Sequence, residues 1–196
     1  MRKFKRPYDI QLYLNELTYD AIPGTGSPRV VMRERKANCF EGALFAAAAL
    51  RFLGHKPVVL DIMAQLDDDH VIALFKKDGR FGAVTKSNTT VLRYREPVYQ
   101  SVRELAMSYF DMYFNVKGKK SMRSYSNPVD LSRFDAQDWM TTEANLDFIG
   151  DYLTRVKHHS VLTRAQLRNL SPVDTDLVKV CFAGSVEEGL FDPDYD

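Results

Sequence analysis

Apolar positions along this chain follow two rhythms, one that suits helices and one that suits strands. Ile10 to Leu17 suggests a short helix. The segment Ile22-Pro-Gly-Thr-Gly-Ser-Pro28 after it is rich in turn formers and is expected to be an exposed loop. Cys39 to Leu53 is the clearest element. It is rich in Ala and Leu on most faces, so the pattern predicts a helix buried in the middle of the fold. Asn38 stands at the N-cap, with Glu41 three residues on to complete a capping box, and Gly54 follows as a stop.

Strand patterns come next. Lys56 to Ala64 reads as a buried strand and Gln65-Leu-Asp-Asp-Asp69 as an acidic loop. His70 to Phe75 is apolar on both faces, which predicts a central strand. Asp78-Gly79 is a hairpin signal, so Arg80 to Ser87 is the expected return strand, with a short extension at Val91 to Tyr94. From Pro97 the spacing of Val98, Val102, Leu105, Tyr109 and Met112 predicts a helix ending near Gly118. Lys117 to Asn127 is polar and basic and is expected to be a loop. Further helices are predicted at Thr142–Lys157, Thr163–Leu170 and Asp174–Phe182, with Trp139 either packing them against the sheet or lining a cleft. An acidic tail, Phe191 to Asp196, is expected to fray. The fold class expected is α+β: a small antiparallel sheet behind a buried helix, with additional C-terminal helices.

Composition narrows the function. The 196 residues, 45% of them apolar, suit a single domain over 1–196 with its core at about 33–116 and a C-terminal helical part at about 128–185. Lys and Arg total 27 against 26 Asp and Glu, a net charge of +1 that offers no general attraction for nucleic acid. The basic stretch Lys117 to Arg123 beside Tyr125 is therefore read as a solvated loop. Met1 to Pro7 is basic but leads into Tyr8-Asp9 rather than an apolar stretch, so no secretory signal is read. No stretch is long enough to span a membrane. The expected setting is cytoplasmic, with both cysteines reduced.

The candidate chemistry lies in the first half of the chain. Cys39 falls at the first position of the buried helix, where the helix dipole and free backbone N–H groups favour a thiolate and can hold an oxyanion. His70 opens a strand after the acidic loop and is a candidate general base. If Asp78-Gly79 is a two-residue turn, paired positions sum to 157 and His70 faces Ser87. A turn one residue longer shifts the partner to Lys86 or Asn88. Lys86 cannot accept a hydrogen bond from imidazole. Ser87 and Asn88 can, the first favoured by geometry and the second by analogy with Cys–His–Asn sites. Asp67, Asp68 and Asp69 lack the Gly and distal Glu of a calcium loop and are read as a solvated turn that could raise the pKa of His70. Gly24-Thr-Gly-Ser27 lacks the Gly-Lys-Ser/Thr of a phosphate loop. His158-His159 is read as surface and Cys181 as core. Neither a metal nor an organic cofactor is expected.

This arrangement resembles the transglutaminase-like superfamily of papain-like cysteine enzymes. The likeness rests on Cys39-Phe-Glu-Gly-Ala-Leu-Phe-Ala-Ala-Ala-Ala-Leu-Arg-Phe-Leu-Gly54, a following strand, and His70 opening the next strand 70 − 39 = 31 residues on. It covers about Arg33 to Asn88. Cys39-Phe-Glu-Gly-Ala-Leu-Phe and Arg95-Glu-Pro-Val-Tyr99 are similar to a bacterial group within the superfamily. The resemblance implies the papain/transglutaminase-like fold, and Cys, His and Asp in that order. The Asp is absent here: Phe81-Gly-Ala-Val-Thr-Lys-Ser-Asn88 stands where the family has Trp-x-x-x-Asp. The implied activity is acyl transfer on a peptide or protein amide, by hydrolysis or transamidation, through a thioester at Cys39. The alternative is a catalytically inactive module of the same fold that binds a peptide or protein. A third reading is a structural domain with an inert Cys39.

Overall fold

The computed structural model describes residues 4–22 and 24–194; Met1 to Lys3, Pro23, Tyr195 and Asp196 lie outside the described residues. The chain opens with α1 (Pro7–Glu16), β1 (Thr18–Tyr19), α2 (Pro28–Glu34) and β2 (Lys36–Ala37). The central helix α3 (Cys39–Phe52) leads into β3 (Val58–Ala64), β4 (His70–Lys77), β5 (Arg80–Val84) and β6 (Arg95–Tyr99). Then follow α4 (Val102–Met107), β7 (Met122–Ser126), β8 (Val129–Asp130), α5 (Asp147–Arg155), β9 (His158–Ser160), α6 (Arg164–Arg168) and α7 (Thr175–Phe182). The architecture is mixed α+β. One antiparallel sheet runs in the order β6-β5-β4-β3-β7-β9, with β8 also on β3, and β1 and β2 form a separate parallel pair.

Alternation along β3, β4 and β5 sends successive side chains to opposite faces. Val59, Val71, Ala73, Phe75 and Val84 pack beneath α3 with Ile10 and Leu14 of α1. Leu60, Ile62, Ile72, Leu74 and Ala83 pack on the other face with Leu105 and Tyr109. The central strand is therefore apolar on both sides. Trp139 is fully buried in the α3-side core and donates from Nε1 to Asp135 Oδ1 at 3.0 Å.

The capping of α3 follows the expected box. Asn38 Oδ1 accepts from Glu41 N at 2.9 Å and Glu41 Oε2 accepts from Asn38 N at 3.3 Å. The same groups tie down the preceding loop, because Gly26 N donates to Glu41 Oε1 and Asn38 Nδ2 to Gly24 O, both at 2.8 Å. That loop is exposed at Ile22, as expected, but its half-buried 24–26 part is anchored against the helix start and it ends in the buried Ser27 and Pro28.

Other expectations are corrected where long-range pairing overrides local pattern. The expected helix from Pro97 to Gly118 divides into the edge strand β6, the six-residue α4 and a 3-10 turn at Phe110–Met112. The basic stretch at 117–127 contains β7, paired to β3 and β9. Its charges are used internally: Lys120 Nζ donates to Asp111 Oδ1 at 2.5 Å and Arg123 Nε to Gln65 Oε1 at 2.9 Å. Val91 to Tyr94 adds no strand and begins in a 3-10 turn, Thr90–Leu92. His158 is not a surface residue. It lies on β9 with Nε2 3.1 Å from Asp61 Oδ2, a carboxyl that burial pushes up to about 6. The 191–194 part of the tail is held rather than frayed, since Lys117 Nζ reaches Asp194 Oδ2 at 2.7 Å and Asp192 Oδ1 at 3.6 Å. Both cysteines are free thiols, and among the described residues no helix is long and apolar enough to cross a membrane.

Candidate functional site

One cavity of about 60 Å³ gathers the candidate chemistry. Cys39, Asp69, His70, Ser87 and Asn88 all line it, as do Tyr19, Tyr113 and the 189–191 segment. The sheet builds it where β4 starts and where the chain leaves β5.

The hairpin follows the two-residue arithmetic. Asp78 and Gly79 both take positive φ, at 51° and 77°, and Lys77 pairs with Arg80, so 77 + 80 = 157. Pairing stops at Ala73 with Val84, before the sum reaches His70. The chain then turns away, and the ring finds its partner on the diagonal at Thr85. His70 Nε2 lies 3.0 Å from Thr85 Oγ1 and 3.0 Å from Leu92 O. A carbonyl can only accept, so Nε2 carries the proton and Nδ1 the lone pair. Thr85 Oγ1 accepts from the ring and can pass its own proton to Val71 O or Lys86 O, each at 3.3 Å. Among the described residues, Nδ1 makes no hydrogen bond. His70 is only 4% exposed and is one of the residues that line the cavity. Tyr109 and Tyr113 hold it edge-on, each with ring centroids 6.4 Å away.

Ser87 and Asn88 therefore reach the cavity but do not orient His70. Ser87 Oγ pairs with Thr89 Oγ1 at 3.2 Å. Asn88 is committed to main chain elsewhere: Nδ2 donates to Val186 O and Gly189 O, and Oδ1 accepts from Val186 N, all at 2.9 Å. Thr85 and Leu92 were missed. The parity of the hairpin carries a signal for Thr85, since 72 + 85 = 157 puts it on the face that Ile72 and His70 share. No local signal marks Leu92, which acts through its carbonyl.

Cys39 sits at the first position of α3 as expected, but its thiol is not activated at rest. Burial pushes it up to about 11, and the Asp68 charge adds to this. The N–H groups of Val71 and Phe40 beside the sulfur pull the other way. Its Sγ lies 3.6 Å from Asp69 O, so the thiol donates to the residue just before His70. Among the described residues, no hydrogen bond joins Sγ to either nitrogen of His70. Burial lowers the His70 imidazolium to about 4, with the Arg95 charge acting in the same sense, so the acidic loop does not raise it. At neutral pH the pair is a thiol and a neutral imidazole, not a thiolate and imidazolium.

The acidic loop is exposed at Gln65, Leu66, Asp68 and Asp69, as expected of a solvated turn, and only Asp67 is half-buried. Asp67 accepts from Ser121 Oγ at 2.5 Å, and burial pushes its carboxyl up to about 6. Asp69 Oδ1 accepts from Ala64 N at 2.7 Å. Among the described residues, no group of three His, Cys, Asp or Glu side chains is arranged to hold a metal ion. Cys181 is buried, as expected of a core residue, and also borders the cavity. No protein-family model matches this chain, and a search of curated proteins finds no match.

Proposed function

We propose that this protein is a cysteine-dependent acyl-transfer enzyme acting on a peptide or protein amide, with Cys39 as nucleophile and His70 as base. The observation that carries the reading is the fixed tautomer of His70. With Nε2–H held by Leu92 O and Thr85 Oγ1, the basic nitrogen is Nδ1, on a residue that lines the same cavity as Cys39. Burial keeps the imidazole unprotonated at neutral pH, so its lone pair is free, and it is a weak base whose basicity a bound substrate would have to raise. The order of a Cys-opened buried helix and a His-opened antiparallel strand also supports a transglutaminase-like version of the papain-like fold.

The reaction runs as general-base catalysis. The Cys39 S–H proton moves to Nδ1 as sulfur bonds to the amide carbon, and the oxyanion meets the N-terminal N–H groups of α3. The proton passes from Nδ1 to the leaving nitrogen as the C–N bond breaks, leaving a thioester. Water, or an amine for transamidation, then gives its proton to Nδ1 and attacks, and the Cys39 thiol is regenerated. Catalytic contacts loose in a free enzyme commonly tighten with substrate bound. No metal or organic cofactor enters these steps.

A second reading, an inactive module that binds a peptide or protein, is favoured by one observation: the Cys39 thiol donates to Asp69 O and not to His70. Acetylation by p-nitrophenyl acetate, followed by peptide-mapped mass spectrometry, separates the two. The enzyme reading expects a transient acetyl group on Cys39 that water removes. It also expects acetylation about a hundredfold slower in His70→Ala, the low end for loss of a general base. Equal rates in wild type and a folded His70→Ala variant would overturn it and leave the binding module.

A further inference from the structure

The cavity that Cys39 lines is walled in part by a later segment of the same chain. After α7, Gly184 turns the backbone with φ of 77°, and residues 185–191 run past the end of β5. Gly189, Leu190 and Phe191 then form part of the cavity wall. Two features set this segment apart from ordinary packing.

The first is how Asn88 holds it. Its side-chain amide accepts from Val186 N and donates to Val186 O and to Gly189 O, so it brackets the 3-10 turn Glu187–Gly189, whose Gly189 N donates back to Val186 O at 3.1 Å. Every one of these bonds goes to main chain, so they are indifferent to the side chains carried. The second is the fit at Gly189. A Cβ there would stand 2.8 Å from Tyr19 Cε1 and 3.2 Å from Asn88 Nδ2. The Gly189 φ is not in the left-handed range, so space and not backbone conformation calls for glycine. Beyond Phe191, Lys117 latches the strap through Asp192 and Asp194.

We propose that residues 185–191 are an autoinhibitory strap lying in a peptide-binding groove, and that this groove accepts a polypeptide that takes the same single 3-10 turn, with glycine at the position Gly189 fills. Main-chain recognition by Asn88 gives binding without a demanding sequence, and the Tyr19 wall gives the glycine preference. A tethered segment acts at an effective concentration in the millimolar range, so the free peptide competes only once the strap is loosened. That the polypeptide is a substrate rests on the acyl-transfer reading; that the strap gates Cys39 does not.

The test uses the full chain with Gly189→Val and, separately, Asn88→Ala. Cys39 alkylation by iodoacetamide at pH 8 is followed by mass spectrometry, with hydrogen exchange over 185–191 read in parallel. Both variants are expected to speed exchange there and raise the Cys39 rate tenfold or more. The synthetic peptide acetyl-Ser-Val-Glu-Glu-Gly-Leu-Phe-amide, at millimolar concentration, is expected to restore protection in Gly189→Val. The same peptide with Ala in place of Gly is expected to protect poorly. A Cys39 rate within twofold of wild type in both variants overturns the strap. Equal protection by the two peptides overturns the glycine-reading groove. Failure of acyl transfer is a separate result: fast alkylation in Gly189→Val with no acetyl-enzyme from p-nitrophenyl acetate.

Discussion

Gln11 and Thr85, 74 residues apart in sequence, pair as two strand residues would. Gln11 Nε2 donates to Thr85 O at 2.9 Å and Thr85 N donates to Gln11 Oε1 at 3.0 Å. The buried amide replaces the ladder that β5 loses after Val84, so Thr85 is fixed where its hydroxyl can hold His70. Gln11 is thus a positioning residue for the candidate base. Gln11→Leu strands a buried N–H and a carbonyl and is expected to cost about 1–3 kcal/mol in denaturant unfolding. Thr85→Val is expected to cost a similar amount. In both variants the ¹⁵N signals of His70 should show a less pure Nε2–H tautomer. An unchanged tautomer pattern alongside lost stability would reduce the relay to simple packing.

The low pKa of His70 makes a pH prediction with a definite sign. The folded imidazole resists protonation down to about 4, while an unfolded one takes a proton near the ordinary value of 6.5. Its contribution to stability is therefore full above about pH 6.5 and is lost as pH falls toward 4, a change of about 3 kcal/mol. Asp61 and Asp67, both raised to about 6 by burial, act in the opposite direction as pH falls below that value. The clean measurement is the stability of wild type minus that of His70→Gln, whose amide can still donate to Leu92 O. This difference should shrink steadily between pH 7 and pH 4; a constant difference would contradict the depressed pKa.

Cys39 should behave as a thiol held protonated by its surroundings. With its pKa pushed up to about 11, the alkylation rate is expected to rise about tenfold from pH 8.5 to 9.5 without levelling. A plateau near pH 8.5 would mean that the helix N-terminus outweighs burial after all.

Two glycine substitutions in helices should separate by sign. A Cβ at Gly42 would stand 2.2 Å from Lys86 Cβ. Lys86 cannot retreat easily, because its Nζ donates to Leu14 O at 3.0 Å and Leu17 O at 2.5 Å, capping the end of α1. Gly42→Ala is expected to destabilise by about 2 kcal/mol, as overpacked cores do. At Gly150 in α5 the nearest atom, Phe40 Cε2, is 4.0 Å away. Gly150→Ala should stabilise by up to about 1 kcal/mol from helix propensity alone. Thermal unfolding of the pair checks both; equal shifts would undo the argument from Lys86.

Lys86 also shows how parity sorts the residues after β5. It lies on the α3 side of the sheet, while Thr85 lies on the side of His70. The sequence arithmetic excluded Lys86 as an orienter on chemical grounds, and the structure adds that it faces the other way to satisfy α1. The sum of 157 was legible from Asp78-Gly79 alone. Where the ladder stops was not, because that depends on Gln11, which arrives from α1.

By itself the sequence determined the helix that starts at Asn38, its capping box, the two central strands and the turn between them. These follow from contacts a few residues apart and from apolar periodicity, which are local properties. Tertiary structure alone decided the rest. It made strands of 95–99, 122–126 and 158–160, because edge pairing outweighs weak local preference. It gave His70 to Thr85 and Leu92 and gave Asn88 to the strap. It also left Cys39 protonated, because desolvation depends on the residues that surround a thiol in the folded chain and not on its neighbours in sequence.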